Sequence, residues 1–358
     1  MKIVFTGGGT MGSVVPLLAV IEHLKQKDPS IDYLWIGTRY GPEKQVVVDY
    51  NIDFKHIFCG KLRRYFSFRN IIDVFYVIFG FLQSLLILKK FRPRVIVSAG
   101  GFVAVPVVWA GWFLGIKSFI HQQDVRPGLS NKLCAWCAEK ITVCFASSAA
   151  YFNEKKILVV GNPVRESFRR EFMKADRNKL LAKYNFKQNL PIVLITAGGR
   201  GSLLINDIVL DSLDELTKIC QIAHITGRNR SVRFARHKKN YANYREYEFM
   251  IDDINILRLA DLVVSRAGMS TLTELTCLGK PSIIIPIPDS HQEDNARYFA
   301  ERGAVEILEQ KNLEPEKFIA SIKEILCDKQ KIKNLAENIH HVIKFGAGEK
   351  IVRIIGSI

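Results

Sequence analysis

A short unit of an apolar strand, a glycine turn and a helical pattern occurs four times in this chain of 358 residues. The four predicted strands are Lys2–Thr6, Arg94–Ser98, Ile192–Thr196 and Leu262–Ser265. Strands that alternate with helices in this way predict an α/β fold with parallel sheets. Because two units lie in each half of the chain, we expect two Rossmann-like domains whose parallel sheets face each other across a cleft.

The sequence Gly161-Asn162-Pro163 lies between the second and third units. Glycine, asparagine and proline together are typical of a loop. A polar and basic stretch, Arg165–Gln188, follows before the third strand. We therefore predict an N-terminal domain of residues 1–161 and a C-terminal domain that begins at residue 162.

Each glycine turn precedes a helical pattern, and the free backbone N–H groups and dipole of a helix N-terminus favour an anion. Lysine and arginine number 51 against 35 aspartate and glutamate residues, so the formal net charge is +16. Such a charge predicts anionic partners. Four glycine turns in one basic chain therefore indicate phosphate binding.

Two common nucleotide motifs are absent from the sequence. The first turn reads GGGTMG rather than GxGxxG, and Thr38-Arg39 stands where a dinucleotide-binding domain carries an acidic residue. No GxxxxGK motif of P-loop enzymes is present. Cys134 and Cys137 form a CxxC without a second pair, so we expect buried thiols. The sequence thus predicts no metal site and no cofactor.

Residues 61–94 combine an apolar segment with flanking cations, which is typical of a peripheral helix on an anionic membrane. The cations are Lys61, Arg63, Arg64, Arg69, Lys89, Lys90, Arg92 and Arg94, and the apolar residues are Phe66, Phe68, Ile71, Ile72, Phe75, Tyr76, Ile78, Phe79, Phe81 and Leu82. Trp109 and Trp112 are predicted as further anchors. The segment Ile71–Leu88 contains Asp73 and barely reaches spanning length, so we expect contact with the bilayer without crossing. A helix in the domain core is the alternative.

Longer motifs occur along nearly the whole chain in the order and spacing of one family. In the N-terminal half they are GGGTMGSVVPLLAV (Gly7–Val20), SAGGFVAVP (Ser98–Pro106), HQQDVRPGLSNKL (His121–Leu133) and VGNPVR (Val160–Arg165). In the C-terminal half they are LITAGGRGSLLIN (Leu194–Asn206), FMIDDI (Phe249–Ile254), ADLVVSRAGMSTLTELTCLGKPSIIIPIP (Ala260–Pro288) and HQEDNA (His291–Ala296). With these motifs the chain resembles the MurG family, the UDP-N-acetylglucosamine transferases of peptidoglycan synthesis.

The resemblance implies the GT-B fold, with the C-terminal domain ending near residue 341 and a last helix, about 342–358, that packs back on the first domain. It implies UDP-GlcNAc as donor and undecaprenyl-diphosphoryl-MurNAc-pentapeptide (lipid I) as acceptor, joined with inversion into lipid II. The implied location is the cytoplasmic face of the bacterial cell membrane, where the protein would be peripheral. No nucleic-acid partner is expected.

Inverting sugar transfer needs a stabilised diphosphate leaving group, a held sugar and a base for the acceptor hydroxyl. Many glycosyltransferases hold the diphosphate through a metal bound by a DxD motif, and no DxD occurs in this sequence. We therefore expect backbone N–H groups, a helix dipole and the Arg165 cation to stabilise the diphosphate.

The resemblance also implies individual site residues. Glu274 would bind the ribose hydroxyls, Ile251 would contact uracil through its backbone, and Gln292 would hold the GlcNAc hydroxyls. The diphosphate would face the backbone of Met269, Ser270, Thr271, Leu272 and Thr273. Ser270 and Thr271 also fit ordinary helix capping. The remaining predicted donor contacts are Thr10, Met11, Gly12, Asp124, Arg165 and Arg200, and those on the acceptor side are Gly100, Gly101, Phe102 and Asn131.

The chain departs from the family pattern where catalysis is expected. Ser13 and Met11 replace a histidine and a glycine of the first loop, Gln122 replaces the glutamate of the HEQN motif, and Phe102 replaces a tyrosine. The third loop is shortened to Gly198-Gly199-Arg200-Gly201.

These departures leave the base to be chosen from three residues. A serine hydroxyl such as that of Ser13 is too weakly acidic to act as a base unaided. We hypothesise that the Asp124 carboxylate is the base, with His121 as the second candidate. The alternative for Asp124 is that it only caps or hydrogen-bonds a loop.

Three other functions compete with this prediction. A UDP-GlcNAc 2-epimerase has a related two-domain fold and would need no membrane-binding helix. A divergent transferase would bind the same donor but turn over slowly or use another lipid-linked acceptor. A nucleic-acid-binding protein would fit the basic charge, but the sequence carries no RRM signature, zinc finger or clear helix-turn-helix pattern.

Overall fold

The computed structural model describes residues 1–60, 69–166, 168, 176–198, 201–227, 241–248 and 254–357. The chain divides into two compact units. The first comprises Met1–Glu166 together with Lys344–Ile358, and the second comprises Ser167–Ile343. The predicted boundaries, after residues 161 and 341, differ from these by five and two residues. Arg165, beyond the first predicted boundary, donates to the Tyr50 hydroxyl within the first unit.

Seven parallel strands form the sheet of the first unit, in the order β3-β2-β1-β4-β5-β6-β7. They are β1 (Lys2–Thr6), β2 (Asp32–Thr38), β3 (Asp53–Ile57), β4 (Val95–Ser98), β5 (Lys117–Gln122), β6 (Lys140–Val143) and β7 (Ile157–Val159). In the middle of the sheet Val4 is paired with Leu34 of β2 and Ile96 of β4.

Helices cover both faces of this sheet, so its central strands are buried on both sides. The helices are α1 (Val15–Lys27), α2 (Glu43–Asp49), α3 (Arg69–Phe91), α4 (Ala104–Phe113), α5 (Leu129–Ala135) and, at the end of the chain, α13 (Ala347–Ser357). Successive residues of β1 point to opposite faces. Phe5 joins a core with α1 and with Ile351 of α13, whereas Val4 joins a core with Val108 of α4.

The second unit has a six-stranded parallel sheet in the order β10-β9-β8-β11-β12-β13. The strands are β8 (Ile192–Thr196), β9 (Gln221–Ile225), β10 (Tyr244–Tyr247), β11 (Leu262–Ser265), β12 (Ser282–Ile284) and β13 (Glu306–Ile307). The helices are α6 (Arg177–Tyr184), α7 (Leu203–Ile219), α8 (Ile254–Leu259), α9 (Met269–Leu278), α10 (His291–Ala300), α11 (Pro315–Cys327) and α12 (Lys329–His340). One core joins the sheet to α7, α11 and α12, with Leu213 of α7 and Phe318 of α11 both buried in it.

The α/β fold with parallel sheets and all four predicted strand-turn-helix units are confirmed. Strands β1, β8 and β11 have the predicted bounds, and β4 begins one residue later, at Val95. The helix of the third predicted unit is α7, and it extends eight residues beyond its predicted end at Asp211. It continues because Leu213 and Leu216 keep its apolar face in the core.

Candidate functional site

Each sheet reverses its strand order once, between β1 and β4 in the first unit and between β8 and β11 in the second. In open parallel sheets a ligand binds beyond the carboxyl ends of the strands at such a reversal. Every predicted glycine turn follows one of these four strands. Each unit therefore carries two of the predicted turns at its own ligand-binding position.

In the first unit the loop Gly7–Ser13 packs directly against the turn after β4. A Cβ atom on Gly101 would lie 2.9 Å from the Gly8 carbonyl oxygen and 3.2 Å from Ser13 Oγ, and a Cβ on Gly9 would overlap the Phe102 ring. Gly100 and Gly101 both have positive φ angles, 95° and 85°, which favour glycine. The structure thus brings Gly100, Gly101 and Phe102 together with the first loop.

The first loop itself leaves Thr10 and Gly12 exposed and Met11 half-buried. Ser13, in the position of the family histidine, is buried and lies with its Oγ 3.5 Å from the Thr10 carbonyl oxygen. Its hydroxyl thus faces the backbone of its own loop, and its predicted catalytic role stays a prediction.

His121, the second candidate base, is buried at the end of β5. Its Nε2–H donates to Asn162 Oδ1 at 2.8 Å, and its Nδ1 accepts from the Thr142 hydroxyl at 2.9 Å. Burial lowers the pKa of the imidazole from 6.5 to about 4. Both ring nitrogens thus hold neighbouring strands together, which suits a positioning role better than proton transfer to a substrate.

Asn131 and Gln122 arrange the backbone around Asp124. Asn131 Nδ2 donates to Gln122 Oε1 at 2.6 Å and to the His121 carbonyl oxygen at 3.3 Å, and Gln122 Nε2 donates to the Asp124 carbonyl oxygen at 2.8 Å. The Ser148 hydroxyl, at 2.9 Å from the Val125 carbonyl oxygen, holds the next residue. Asp124 itself remains half-exposed on this fixed turn.

Two residues that the sequence analysis did not select also hold the first loop. Gln123 is buried and its Nε2 donates to the Gly12 carbonyl oxygen at 2.9 Å, across 111 residues of sequence. Glu43 is completely buried and accepts a hydrogen bond from the Gly9 backbone N–H at 3.1 Å. No local pattern marks either residue, because each is brought to the loop by tertiary packing.

Arg165, predicted to stabilise the diphosphate, is buried in another network of the first unit. Its Nη1 donates to the Tyr50 hydroxyl at 3.3 Å, and that hydroxyl donates to Glu22 Oε1 at 3.1 Å. Glu22 lies two helical turns beyond the start of α1. The structure therefore does not bring the Arg165 guanidinium to the first glycine loop, and its predicted diphosphate contact remains a prediction.

In the second unit the N-terminus of α9 has no side-chain cap. The N-cap is Gly268, and a Cβ atom built on it would meet nothing within 4 Å. The first turn carries the predicted residues Met269 to Thr273, with Met269, Leu272 and Thr273 buried and Thr271 half-buried. The Leu272 N–H already donates to the Gly268 carbonyl oxygen at 3.0 Å, so the N–H groups before Leu272 are the ones that can bind an anion in the open space beside them.

The side chains of this first turn do not replace the missing cap. The Thr273 hydroxyl donates back to the Met269 carbonyl oxygen at 2.6 Å. Ser270 Oγ is buried and has no hydrogen-bond partner among the described residues. Glu274, predicted to hold the ribose, is half-buried on the next turn.

Arg266 joins the carboxyl ends of three strands at the same reversal, and the sequence analysis did not select it. Its Nη2 donates to Ser202 Oγ at 2.8 Å, and its Nη1 donates to the carbonyl oxygens of Ile285 and Pro286 at 3.0 and 3.2 Å. Ser202 is in turn the N-cap of α7. Burial lowers the pKa of the guanidinium, which remains cationic at neutral pH.

Gln292 lies in the first turn of α10, whose N-cap is Ser290. Its side-chain oxygen accepts from the Ile287 N–H at 3.2 Å, which leaves its amide nitrogen for a ligand. Two further predicted contacts, Arg200 and Ile251, lie outside the residues that the structure describes.

Known families and proteins match this chain along most of its length. The N-terminal domain of glycosyltransferase family 28 matches residues 3–143, and the C-terminal domain of that family matches residues 192–350. A Bacillus cereus (strain ATCC 10987 / NRS 248) protein is 36% identical over 90% of this chain and 91% of its own length. It is named UDP-N-acetylglucosamine–N-acetylmuramyl-(pentapeptide) pyrophosphoryl-undecaprenol N-acetylglucosamine transferase 2, as is a Bacillus anthracis protein 35% identical over 99% of this chain and 98% of its own.

The chain belongs to the MurG family of glycosyltransferases. Solved structures share its fold. MurG of Acinetobacter baumannii is 24% identical to this chain and superposes on it with a TM-score of 0.76. The match covers 100% of this chain and 99% of the Acinetobacter chain. A UDP-GlcNAc 2-epimerase from Neisseria meningitidis bound to UDP-GlcNAc, 16% identical, has a TM-score of 0.74 over 100% of both chains. Like other MurG-family proteins, the chain is thus built from an N-terminal and a C-terminal family 28 domain.

The two buried histidines predict a loss of stability in acid. The pKa of His121 is about 4 and that of His224, buried in the second unit, about 3, both below the value of 6.5 in an unfolded chain. The unfolded chain therefore binds protons at these histidines below pH 6.5, whereas the folded chain does not. The free energy of unfolding is unaffected by them above pH 6.5 and decreases as the pH falls towards 4, by about 3 kcal/mol for His121 alone. We expect NMR titration to show neither imidazole gaining a proton between pH 8 and 5.5. A midpoint near 6.5 for either ring would contradict its burial.

Proposed function

We propose that the chain transfers GlcNAc from UDP-GlcNAc to lipid I with inversion at the anomeric carbon. The observation that carries the donor half is the uncapped N-terminus of α9, which lies within the motif Ala260–Pro288. Two relatives covering nine-tenths or more of the chain are named for this transfer. The acceptor rests on those names and on the exposed apolar helix α3.

The donor diphosphate binds, in this proposal, at the backbone N–H groups that open α9. Gly268 leaves the space free, and the Arg266 guanidinium holds the ends of β11 and β12 around it. The Glu274 carboxylate accepts from the ribose hydroxyls, and the Gln292 amide contacts the GlcNAc hydroxyls. Amide donors fixed before the reaction stabilise the negative charge that develops on UDP as it leaves.

On the acceptor side, the Asp124 carboxylate takes the proton from the attacking hydroxyl. The hydroxyl oxygen then forms a bond to the anomeric carbon, and the bond from that carbon to the diphosphate breaks with its electron pair on UDP. We assign this role to Asp124 because its backbone is fixed by Gln122 while its side chain remains half-exposed. His121 orients the strand ends, and Ser13 shapes the loop.

We further propose that α3 binds an anionic membrane. Among the described residues Ile72–Phe91 is the one helix with the length and apolar composition of a spanning segment. It nevertheless connects β3 to β4 of one sheet and packs against α4, and its residues Gly80, Ser84 and Leu88 are buried at four-residue spacing. A helix held in this way lies on the membrane surface rather than across it.

The outward face of α3 is apolar and open. Its exposed apolar residues are Ile72, Val74, Phe75, Tyr76, Ile78, Phe79, Leu82 and Leu86, with Phe79 56% exposed. Cations follow at its C-terminal end, where Lys89, Lys90, Arg92 and Arg94 are all exposed. The predicted cations Lys61, Arg63 and Arg64 lie outside the described residues, as do Phe66 and Phe68.

Of the two tryptophans predicted as membrane anchors, Trp112 is exposed and Trp109 is half-buried. The Trp109 indole N–H donates to the Leu133 carbonyl oxygen at 3.0 Å, and its ring is half-buried. Trp112 is 53% exposed and meets Trp136, 55% exposed, with the ring centroids 4.8 Å apart. We therefore propose Trp112 and Trp136 as the interfacial anchors, because exposed indoles favour the headgroup region.

The UDP-GlcNAc 2-epimerase alternative shares the fold and the donor, so the products separate the two functions. A transferase incubated with UDP-GlcNAc and a lipid I analogue yields UDP and an elongated lipid, and an epimerase yields a free epimer. Transfer only to a different lipid-linked acceptor would identify the divergent transferase.

Replacing Asp124 tests the proposed base. Asp124→Asn keeps the shape of the side chain but cannot accept the proton, so we expect kcat for transfer to fall by about 10²- to 10⁴-fold. UDP affinity should remain unchanged, since the proposed diphosphate contacts lie on α9, and a weaker affinity would instead support the donor contact predicted for Asp124. Glu139→Gln, at an exposed position of the same unit, is the control. Near-normal turnover by Asp124→Asn would remove the aspartate from the reaction.

Two acidic substitutions test the membrane surface. The double variant Phe75→Glu/Phe79→Glu replaces two aromatic side chains that would insert into the membrane by two negative charges. We therefore expect its binding to vesicles containing phosphatidylglycerol to weaken by about 10-fold or more. Vesicle flotation measures the bound fraction. Leu158→Glu, an exposed apolar residue on β7, serves as the control. The proposed surface is wrong if the double variant floats as well as the wild type.

A further inference from the structure

A carboxylate lies completely buried beneath the first glycine loop of the N-terminal unit. It belongs to Glu43, the first residue of α2. Its Oε1 accepts from the Thr38 N–H at 2.7 Å and from the Thr38 hydroxyl at 2.6 Å, and its Oε2 accepts from the Gly9 N–H at 3.1 Å. A buried charge is stable only when its oxygens are paired in this way.

The glycines around this carboxylate leave no room for anything larger. A Cβ on Gly8 would overlap Glu43 Oε1, and a Cβ on Gly41 would overlap Oε2. A Cβ on Gly37 would lie 3.2 Å from Oε1. Three separate glycines thus pack closely against one side chain, which ties the shape of the loop to the presence of the carboxylate.

Two neutral side chains hold the same loop at other peptide groups. The Trp35 indole N–H donates to the Gly7 carbonyl oxygen at 3.0 Å, and Gln123 Nε2 donates to the Gly12 carbonyl oxygen at 2.9 Å. Together with Glu43 at the Gly9 N–H, these contacts hold three peptide groups within six residues. Glu43 is the one charged member of this set.

This arrangement differs from that of a dinucleotide-binding domain. There an acidic residue at the end of the second strand accepts from the ribose of the cofactor. Here β2 ends at Thr38, and the nearby Glu43 carboxylate accepts hydrogen bonds from Thr38 and Gly9. The Glu43 carboxylate therefore binds backbone groups of the protein, and its oxygens are not offered to the ribose of a nucleotide.

We propose that Glu43 is a positioning residue for acceptor transfer, because it sets the conformation of the loop Gly7–Ser13. This inference rests on the proposed function. It assigns the loop to the acceptor side, although Thr10, Met11 and Gly12 were predicted as donor contacts, because the loop packs against Gly101 and Phe102, which are predicted on the acceptor side. Glu43 acts through the backbone of the loop and touches no substrate. The donor contacts proposed on α9 belong to the other unit, so the effect of Glu43 falls on the acceptor.

Glu43→Gln tests this role at nearly constant size. A glutamine amide presents an N–H₂ group to one of the three donors, so at least one buried N–H or O–H loses its acceptor. We expect kcat/KM for a lipid I analogue to fall by about 10- to 100-fold, as for a misplaced catalytic loop. The Kd for UDP should change by less than about twofold.

Hydrogen exchange gives a second measure that does not depend on activity. In Glu43→Gln the peptide containing Gly9 should exchange about tenfold faster, while peptides from α9 keep their wild-type rates. Asp49→Asn removes an exposed carboxylate from the same helix and is the matched control. Unchanged kcat/KM together with unchanged exchange at Gly9 would overturn the proposal.

Thr38 variants decide the matter if Glu43→Gln does not fold. Thr38→Val removes one donor to Glu43 and should lower kcat/KM in the same direction, whereas Thr38→Ser restores the hydroxyl and should recover most of it. Equal activity of the two Thr38 variants would contradict the proposal. Should the wild type transfer no GlcNAc, the proposed function fails, and exchange at Gly9 still tests whether Glu43 holds the loop.

Discussion

The backbone N–H groups at the start of a helix have no acceptor within the helix, and the second unit leaves those of α9 without a side-chain cap. Three other features of that unit surround this position. Gly268 keeps the approach open, Arg266 ties together the ends of three strands, and the sheet reverses its order there. A diphosphate supplies the acceptor atoms and negative charge that such a helix end lacks.

In the first unit, side chains of the protein satisfy backbone groups of the glycine loop. Its first glycine loop follows β1 at the reversal, but the Gly9 N–H is already satisfied by Glu43, and the Gly7 and Gly12 carbonyl groups by Trp35 and Gln123. The loop is thus a shaped surface more than an anion site. This difference fits a division in which one unit binds UDP and the other presents the acceptor.

The fold could be predicted from the sequence because its strands are short apolar runs ended by glycine, a local signal. The start of a helix after a glycine turn could be predicted where the motif is contiguous, as at α9, and the role of that turn as a binding site stays a prediction. Glu43 was missed because a glutamate in the first turn of a helix is usually exposed, and it is buried here only by packing against the glycine loop. Trp136 and Arg266 were missed because their partners, such as Trp112 and Ser202, are distant in sequence.

The central claim is that main-chain amides at the start of α9 neutralise the UDP diphosphate without a divalent ion. Calorimetry of UDP binding in the presence of EDTA, with the wild type and Gly268→Val, tests it directly. The φ of −72° at Gly268 suits any residue and the added side chain meets open space, so the variant should fold. The account predicts that the wild type binds UDP under these conditions and that the variant does not. Equal binding by both proteins, or wild-type binding only when a divalent ion is added, would contradict it.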